Sequence, residues 1–200
     1  MNFLAHLFLA DKTPHSILGN MLADFVDGNF RETYPTEICR GIILHRKIDA
    51  FTDKHDIFLR SMSRLNNDYR RLKGIMVDMF YDHFLAKNWS DFSDDPLEDF
   101  CDYVYSIFLE NQSLAPERLR KIIPRMVTEN WLFSYRKVEG IQWALEGLSR
   151  RLSRKNNLGA SIQELKLNYQ DLQHDFYEFF PLLIEYVEGL KLNPEFPENL

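Results

Sequence analysis

The sequence predicts an all-α fold in a single domain spanning residues 1–200, and three observations predict it. Apolar residues recur at three- and four-residue spacing in segment after segment, and no stretch keeps the two-residue alternation of a half-buried strand. Helix-start signals precede those segments at Thr13-Pro14, Pro35-Thr36 and Asp95-Pro96. No repeat, low-complexity tract or Gly/Ser linker divides the 200 residues, and 45% hydrophobic content with 16 Phe and 9 Tyr can fill one core.

The elements follow in order. "MNFLAHLFLADK" is apolar but short and has no basic leader, so it is expected to belong to the folded chain, with His6 on a strand or turn. "TPHSILGNMLADFVDG" reads as a helix with Thr13 as N-cap, Pro14 at the first helical position and Gly28 as its stop. "YPTEICRGIILHRKIDAFTD" gives a second helix after Pro35, with Thr36 as a cap. A short helix fits 56–66, a long one fits "DYRRLKGIMVDMFYDHFLAKNW", and another starts at Asp95-Pro96. Helices near 115–127, 128–136 and 138–153 follow, the first with Pro124 near its end. A long helix from about 160 to 190 is expected to kink at Pro181.

Composition excludes several classes. Net charge of −6 argues against a general nucleic-acid binder, and no stretch approaches the roughly 20 apolar residues of a membrane span. Two cysteines imply no disulfide framework, which suits a reducing cytoplasm. Basic residues gather in two runs: Arg60, Arg64, Arg70, Arg71 and Lys73, and then Arg150, Arg151, Arg154 and Lys155. Either run is a solvated helix face or a docking face for an acidic partner, and the first leads directly into the helix that carries Asp78 and Asp82.

The chemistry lies where polar groups interrupt apolar stripes. At 100° per residue, His45 and Asp49 extend the stripe begun by Ile38 and Ile42, with Asp53 at its edge. Taken alone, such an i, i+4 pair is an ordinary buried hydrogen bond. Asp78 and Asp82 repeat the spacing among Ile75, Met79 and Leu85; His83 follows, Asp24 flanks the Ile17/Met21/Phe25 stripe, and His6 lies within "NFLAHLFL". An ionised carboxylate turned inward costs several kcal/mol unless it is paired or bound to a metal. So many acids without inward bases therefore point to a cation. A mixed imidazole and carboxylate set suits Mn²⁺, Fe²⁺ or Zn²⁺ better than Ca²⁺. In a helical frame it also suits phosphoester hydrolysis, where the metal polarises a phosphoryl oxygen and acidifies water. His55-Asp56 and His174-Asp175 each spell an "HD" dipeptide, but the first marks a helix start where Asp56 is a cap or a first-turn acid, and the second lies in an acidic helix far from the other acids.

"MNFLAHL", "GNMLADFVDGN" at 19–29, "GIILHRKIDAFTD" at 41–53 and "DMFYDHFLAKNWS" at 78–90 together resemble the acyl carrier protein phosphodiesterases, and a looser likeness runs through "ENWLFSYRKVEGIQWALEGLSRRL" and "FYEFFPLL". The resemblance implies an HD-phosphohydrolase-like helical bundle and a Mn²⁺-dependent enzyme. Such an enzyme hydrolyses the phosphodiester between 4′-phosphopantetheine and a serine of holo-acyl carrier protein. The family's polar positions fall on His6, Asp24, His45, Arg46, Asp49, Asp78, Asp82 and His83. Asp24, His45, Asp49, Asp78 and Asp82 are expected to supply the metal ligands. His6 or His83 would protonate the leaving serine oxygen, and Arg46 would neutralise phosphate oxygens or else pair with an acid behind the ligands. The Asp82-His83 order reverses the usual HD pair, so ligand assignments do not transfer from ordinary HD enzymes. Two other readings remain: a phosphohydrolase of nucleotides or other small phosphoesters, and a non-catalytic helical module that docks an acidic partner and carries no stoichiometric metal.

Overall fold

The N-terminal segment sets the arrangement of the site, because it closes into a helix rather than a strand or turn. In the computed structural model, which describes residues 1–152, 154, 156–193 and 196, α1 spans Phe3–Leu9 and buries Leu4, Ala5, His6, Leu7 and Leu9. α2 follows at Pro14–Leu22, capped as predicted by Thr13, whose hydroxyl accepts from the Ser16 amide at 3.3 Å. The chain then tightens into a 3₁₀ turn at Ala23–Phe25 before Gly28, so the helix predicted to run on to the glycine is shorter. After the single turn α3 (Phe30–Thr33), α4 runs Thr36–Thr52; Thr36 lies in its first turn and makes no cap.

α2 and α4 cross unusually closely because glycine meets glycine there. A Cβ added at Gly19 would fall 2.2 Å from the Ile38 carbonyl oxygen, and one at Gly41 would fall 2.6 Å from that of Ser16. Only glycine permits this approach, which brings the turn carrying Asp24 beside the middle of α4.

α5 (Asp56–Arg64) is capped by His55, whose Nδ1 accepts from the Ile57 amide at 3.3 Å; Asp56 is a first-turn acid rather than the cap. A 3₁₀ stretch at Asn67–Leu72 leads into α6, Lys73–Lys87, and then α7 covers Leu97–Glu110. The region expected as three helices from 115 to 153 holds four: α8 (Glu117–Arg120), α9 (Ile123–Thr128), α10 (Trp131–Ser134) and α11 (Val138–Arg151). Pro124 opens α9 in its first turn, where its missing amide hydrogen is tolerated, and does not end a longer helix. Likewise the expected 160–190 helix divides into α12 (Ile162–Leu167) and α13 (Tyr169–Leu192), with Pro181 inside α13. No strand occurs among the described residues, and no helix is long and apolar enough to cross a membrane.

α13 packs on α4, α5 and α6. Its Phe176, Phe179 and Phe180 are buried with Phe58, Tyr81 and Phe84, ring centroids lying 5.5–6.3 Å apart at tilted or edge-on angles. Each such ring contributes about 2 kcal/mol of burial energy. Beneath them Asp175, fully buried, is held by Arg64 Nε at 2.7 Å, Arg60 Nε at 2.8 Å and the Ser61 hydroxyl at 2.8 Å, which also meets Tyr81. This network clamps α5 to α13.

Candidate metal centre

Three histidines and four carboxylates lie along α1, α4, α6 and the 3₁₀ turn after α2, and packing sorts them. His6 on α1 and His45 on α4 stack face to face, ring centroids 3.6 Å apart and planes 9° from parallel. Asp49, one turn beyond His45, bridges them: Oδ1 lies 3.1 Å from His6 Nε2 and Oδ2 3.2 Å from His45 Nε2. Asp24 Oδ1 reaches the same His45 nitrogen at 3.3 Å. The ligand atoms of His6, His45 and Asp49 all fall within 4.8 Å of one another, close enough to share one ion. The rings are buried, while Asp24 and Asp49 stay 52% and 40% exposed, so the cluster faces inward on nitrogen and outward on oxygen. His6 Nδ1 and His45 Nδ1 are buried without a hydrogen-bond partner; stacking and the Nε2 contacts orient the rings.

The inward base missing from the sequence reading is the α-amino group of Met1. It lies 3.0 Å from Asp78 Oδ1 and 3.4 Å from Asp49 Oδ1, and the Met1 carbonyl meets His6 Nε2 at 3.0 Å. Burial opposes its charge, yet Asp78 and Asp49 raise its pKa to about 10. Asp78 therefore joins the centre's edge through this ammonium, while its own burial raises its pKa.

Electrostatics divides the two histidines. Burial, and then the charge of His45, press His6 down to about 3. His45 also loses water, but its contacts with Asp24 and Asp49 outweigh this and raise it to about 9. Despite partial burial, Asp49 is held far below the ordinary carboxylate range by both histidines, and Asp24 is lowered by His45. Two stacked imidazoles cannot both be cationic, so in the ion-free protein the pair carries one charge, on His45. The donor set of two imidazole nitrogens and carboxylate oxygens fits a divalent transition ion, which would take the place of that proton.

Three of the predicted site residues are placed differently. Asp82 is fully buried, and its two oxygens accept from the Leu4 amide at 2.8 Å and the Ala5 amide at 3.0 Å. It therefore caps α1 from 78 residues away, where Asn2 makes no side-chain cap. His83 points elsewhere: Nδ1 meets the Tyr135 carbonyl at 2.8 Å and Nε2 the Tyr169 hydroxyl at 2.9 Å. Arg46 donates to the Val26 carbonyl at 3.1 Å and covers the Phe30 ring at 4.7 Å, making no ion pair among the described residues. It tethers the loop after Asp24 to α4.

A family model for acyl carrier protein phosphodiesterases matches residues 1–183. The chain belongs to that family. It is 35% identical over 193 residues to the acyl carrier protein phosphodiesterase of Yersinia enterocolitica, covering 96% of this chain and 100% of the relative. It is 37% identical over 186 residues to that of an Escherichia coli O6:H1 strain, covering 92% and 96%. No solved structure matches it.

In this member of the acyl carrier protein phosphodiesterase family the two "HD" dipeptides lie outside the cluster. His55 caps α5, and His174 is exposed and paired with Glu178 at 2.8 Å. The first basic run is largely occupied as well, since Arg60 binds Asp175 and Glu178 while Arg64 binds Asp171 and Asp175; Arg70 and Arg71 remain exposed. Lys155 of the second run lies outside the described residues. Sequence reasoning also missed a cavity of about 540 Å³ beside α11, whose wall includes Asn2, Met79, Trp131 and Trp143. One signal was available: Trp143 lies 200° around α11 from Ile141, opposite the stripe that enters the core.

Proposed function

We propose that this chain hydrolyses the phosphodiester joining 4′-phosphopantetheine to a serine of holo-acyl carrier protein, releasing the apo-protein and 4′-phosphopantetheine, with Mn²⁺ held by His6, His45, Asp49 and Asp24. The convergence of two stacked imidazoles on Asp49, in a chain that matches this family along nearly its whole length, is the observation that carries the reading. When bound, the ion supplies Lewis acidity toward a phosphoryl oxygen and lowers the pKa of a water nucleophile.

The protein's own groups do the rest. His6, pressed to about 3, is neutral at physiological pH; it serves as a ligand rather than as the acid that protonates the leaving oxygen. Asp24 and Asp49 remain ionised and open toward solvent, where a large protein substrate has access. The Met1 ammonium and Asp78 fix the inner edge of Asp49. Arg46 steadies the Asp24 loop from behind.

The test is incubation with holo-acyl carrier protein and Mn²⁺, followed by intact-mass spectrometry. The carrier protein should lose its prosthetic group only when the ion is present. A metal-loaded, folded protein that leaves holo-acyl carrier protein intact overturns the reading.

A further inference from the structure

The groove along α11 is lined by none of the cluster's histidines or carboxylates, and its walls have a chemistry of their own. α11 shows two faces. Ile141 and Leu145 are buried in the core, whereas Trp143, Ala144, Gly147 and Arg151 line the groove. Trp143 is 66% exposed and, with Trp131, gives the groove an aromatic wall. Gly147 keeps the floor open: a Cβ there would meet only the tip of the Arg151 side chain, at 3.9 Å. A volume of about 540 Å³ lies within the usual range of about 300–1,000 Å³ for small-molecule sites.

The groove carries cations without carboxylate partners. Arg125 pairs with Glu129 at 2.8 Å and Lys121 with Glu117 at 2.6 Å, and Glu146 accepts from Gln142, whereas Arg150 and Arg151 of the wall, like Arg118 outside it, make no ion pair among the described residues. Burial, and behind it the charges of Arg118, Arg125 and Arg150, lower the Arg151 pKa, with Tyr135 opposing. Guanidiniums without carboxylate partners in a concave wall form a receptor for an anion.

Two links join this groove to the metal centre. Asn2, in its wall, adjoins Met1, whose ammonium and carbonyl touch Asp49, Asp78 and His6, and donates to Met79 of the same wall. On the other side, the Arg118 guanidinium covers the Phe25 ring at 5.7 Å, next in the chain to Asp24. Positive charge therefore stands beside the Asp24 corner, at Arg118, and in the groove wall, at Arg150 and Arg151.

We propose that this groove binds the 4′-phosphopantetheine arm of the substrate, the phosphate lying toward Arg118 and the metal centre and the pantetheine chain lying along Gly147 against Trp143. This inference rests on the proposed phosphodiesterase reading. The occupant is argued from complementarity: an elongated chain, anionic at one end only, part apolar and part amide, matches a groove whose wall holds Arg150 and Arg151 together with Trp131 and Trp143. The body of an acidic carrier protein would instead need a broad basic surface.

The test uses the full chain and free 4′-phosphopantetheine, titrated calorimetrically against the wild type, Gly147→Leu and Trp143→Ala. At Gly147 an added Cβ meets nothing but the tip of Arg151 and a longer side chain extends into the groove, and leucine suits a helix better than glycine, so folding is preserved. Saturable binding to the wild type, weakened at least tenfold in both variants, with affinity for apo-acyl carrier protein changed less than twofold, is the expected result. Equal binding by the wild type and Gly147→Leu, or no binding at all, overturns the proposal. So does an equal loss of apo-carrier-protein affinity, which would make the groove a protein-docking face. Mass spectrometry of holo-acyl carrier protein separates the two failures. If the wild type removes the prosthetic group but Gly147→Leu does so with unchanged KM, the groove assignment falls and the activity stands. If the wild type binds 4′-phosphopantetheine yet never cleaves the holo-protein, the activity falls, and with it this role for the groove.

Discussion

Replacing Asp82 with alanine removes both acceptors of the Leu4 and Ala5 amides at the start of α1. Those amides are buried and have no alternative cap, because the Asn2 side chain makes none. Each orphaned buried donor costs about 1–3 kcal/mol, and relief from holding a buried carboxylate offsets part of that sum. A net loss of about 3 kcal/mol is therefore expected, within the range seen when helix caps and buried polar contacts are lost together. For a chain of this size each kcal/mol lowers Tm by about 2–4 °C, so Asp82→Ala should melt about 6–12 °C below the wild type while remaining helical. Because α1 carries His6, bound metal should fall as well. Scanning calorimetry with metal analysis of the same samples checks both. A Tm within 2 °C of the wild type, together with full metal occupancy, would refute the capping role.

Burial raises the Asp82 pKa from 3.8 to about 7, so the folded state binds an extra proton between those values. Wild-type stability should fall as pH rises from about 4 to 7 and level off above that, whereas Asp82→Asn lacks this component; parallel urea-denaturation profiles for the two proteins would contradict it. His45→Ala and Asp49→Ala should each abolish stoichiometric metal and lower turnover at least a hundredfold with little loss of helix, measured by elemental analysis and circular dichroism; retained metal in either would remove that residue from the centre. His55→Ala and His174→Ala should keep most activity, with only His55→Ala losing about 1 kcal/mol through the α5 cap; a hundredfold loss in either would mean the wrong histidines are assigned. Asp175→Ala leaves Arg60 and Arg64 without their buried partner and should cost about 3–5 kcal/mol, seen as a fall in denaturation midpoint with unchanged turnover per folded molecule.

The all-α fold, the positions of α2, α4, α5, α6 and α7, and the His45/Asp49 pair were legible because each depends on local rules: capping residues, 3.6-residue periodicity and the adjacency of residues four apart. The break near Asn168 was not, since no proline or glycine marks it; side-chain packing overrides weak local propensity there. Pro124 marks a boundary, but the sequence pattern put it at the wrong end of its helix.

Sequence alone determined which residue types this protein places on inward stripes, and through four ordered motifs it determined the family. Tertiary structure alone decided where each stripe points. Helical spacing gives Asp78, Asp82 and His83 their angles around α6, yet a turn along that helix separates the Met1 ammonium from the α1 amides, and about 100–140° separates both from the two tyrosines that hold His83. In the same way Arg60 and Arg64 read as a free basic face until α13 brings Asp175 against them. His6 meets His45 across 39 positions of chain only because Gly19 and Gly41 let α2 and α4 close up while Asp82 anchors α1. A contact between distant segments depends on how whole helices pack, and no local pattern encodes that.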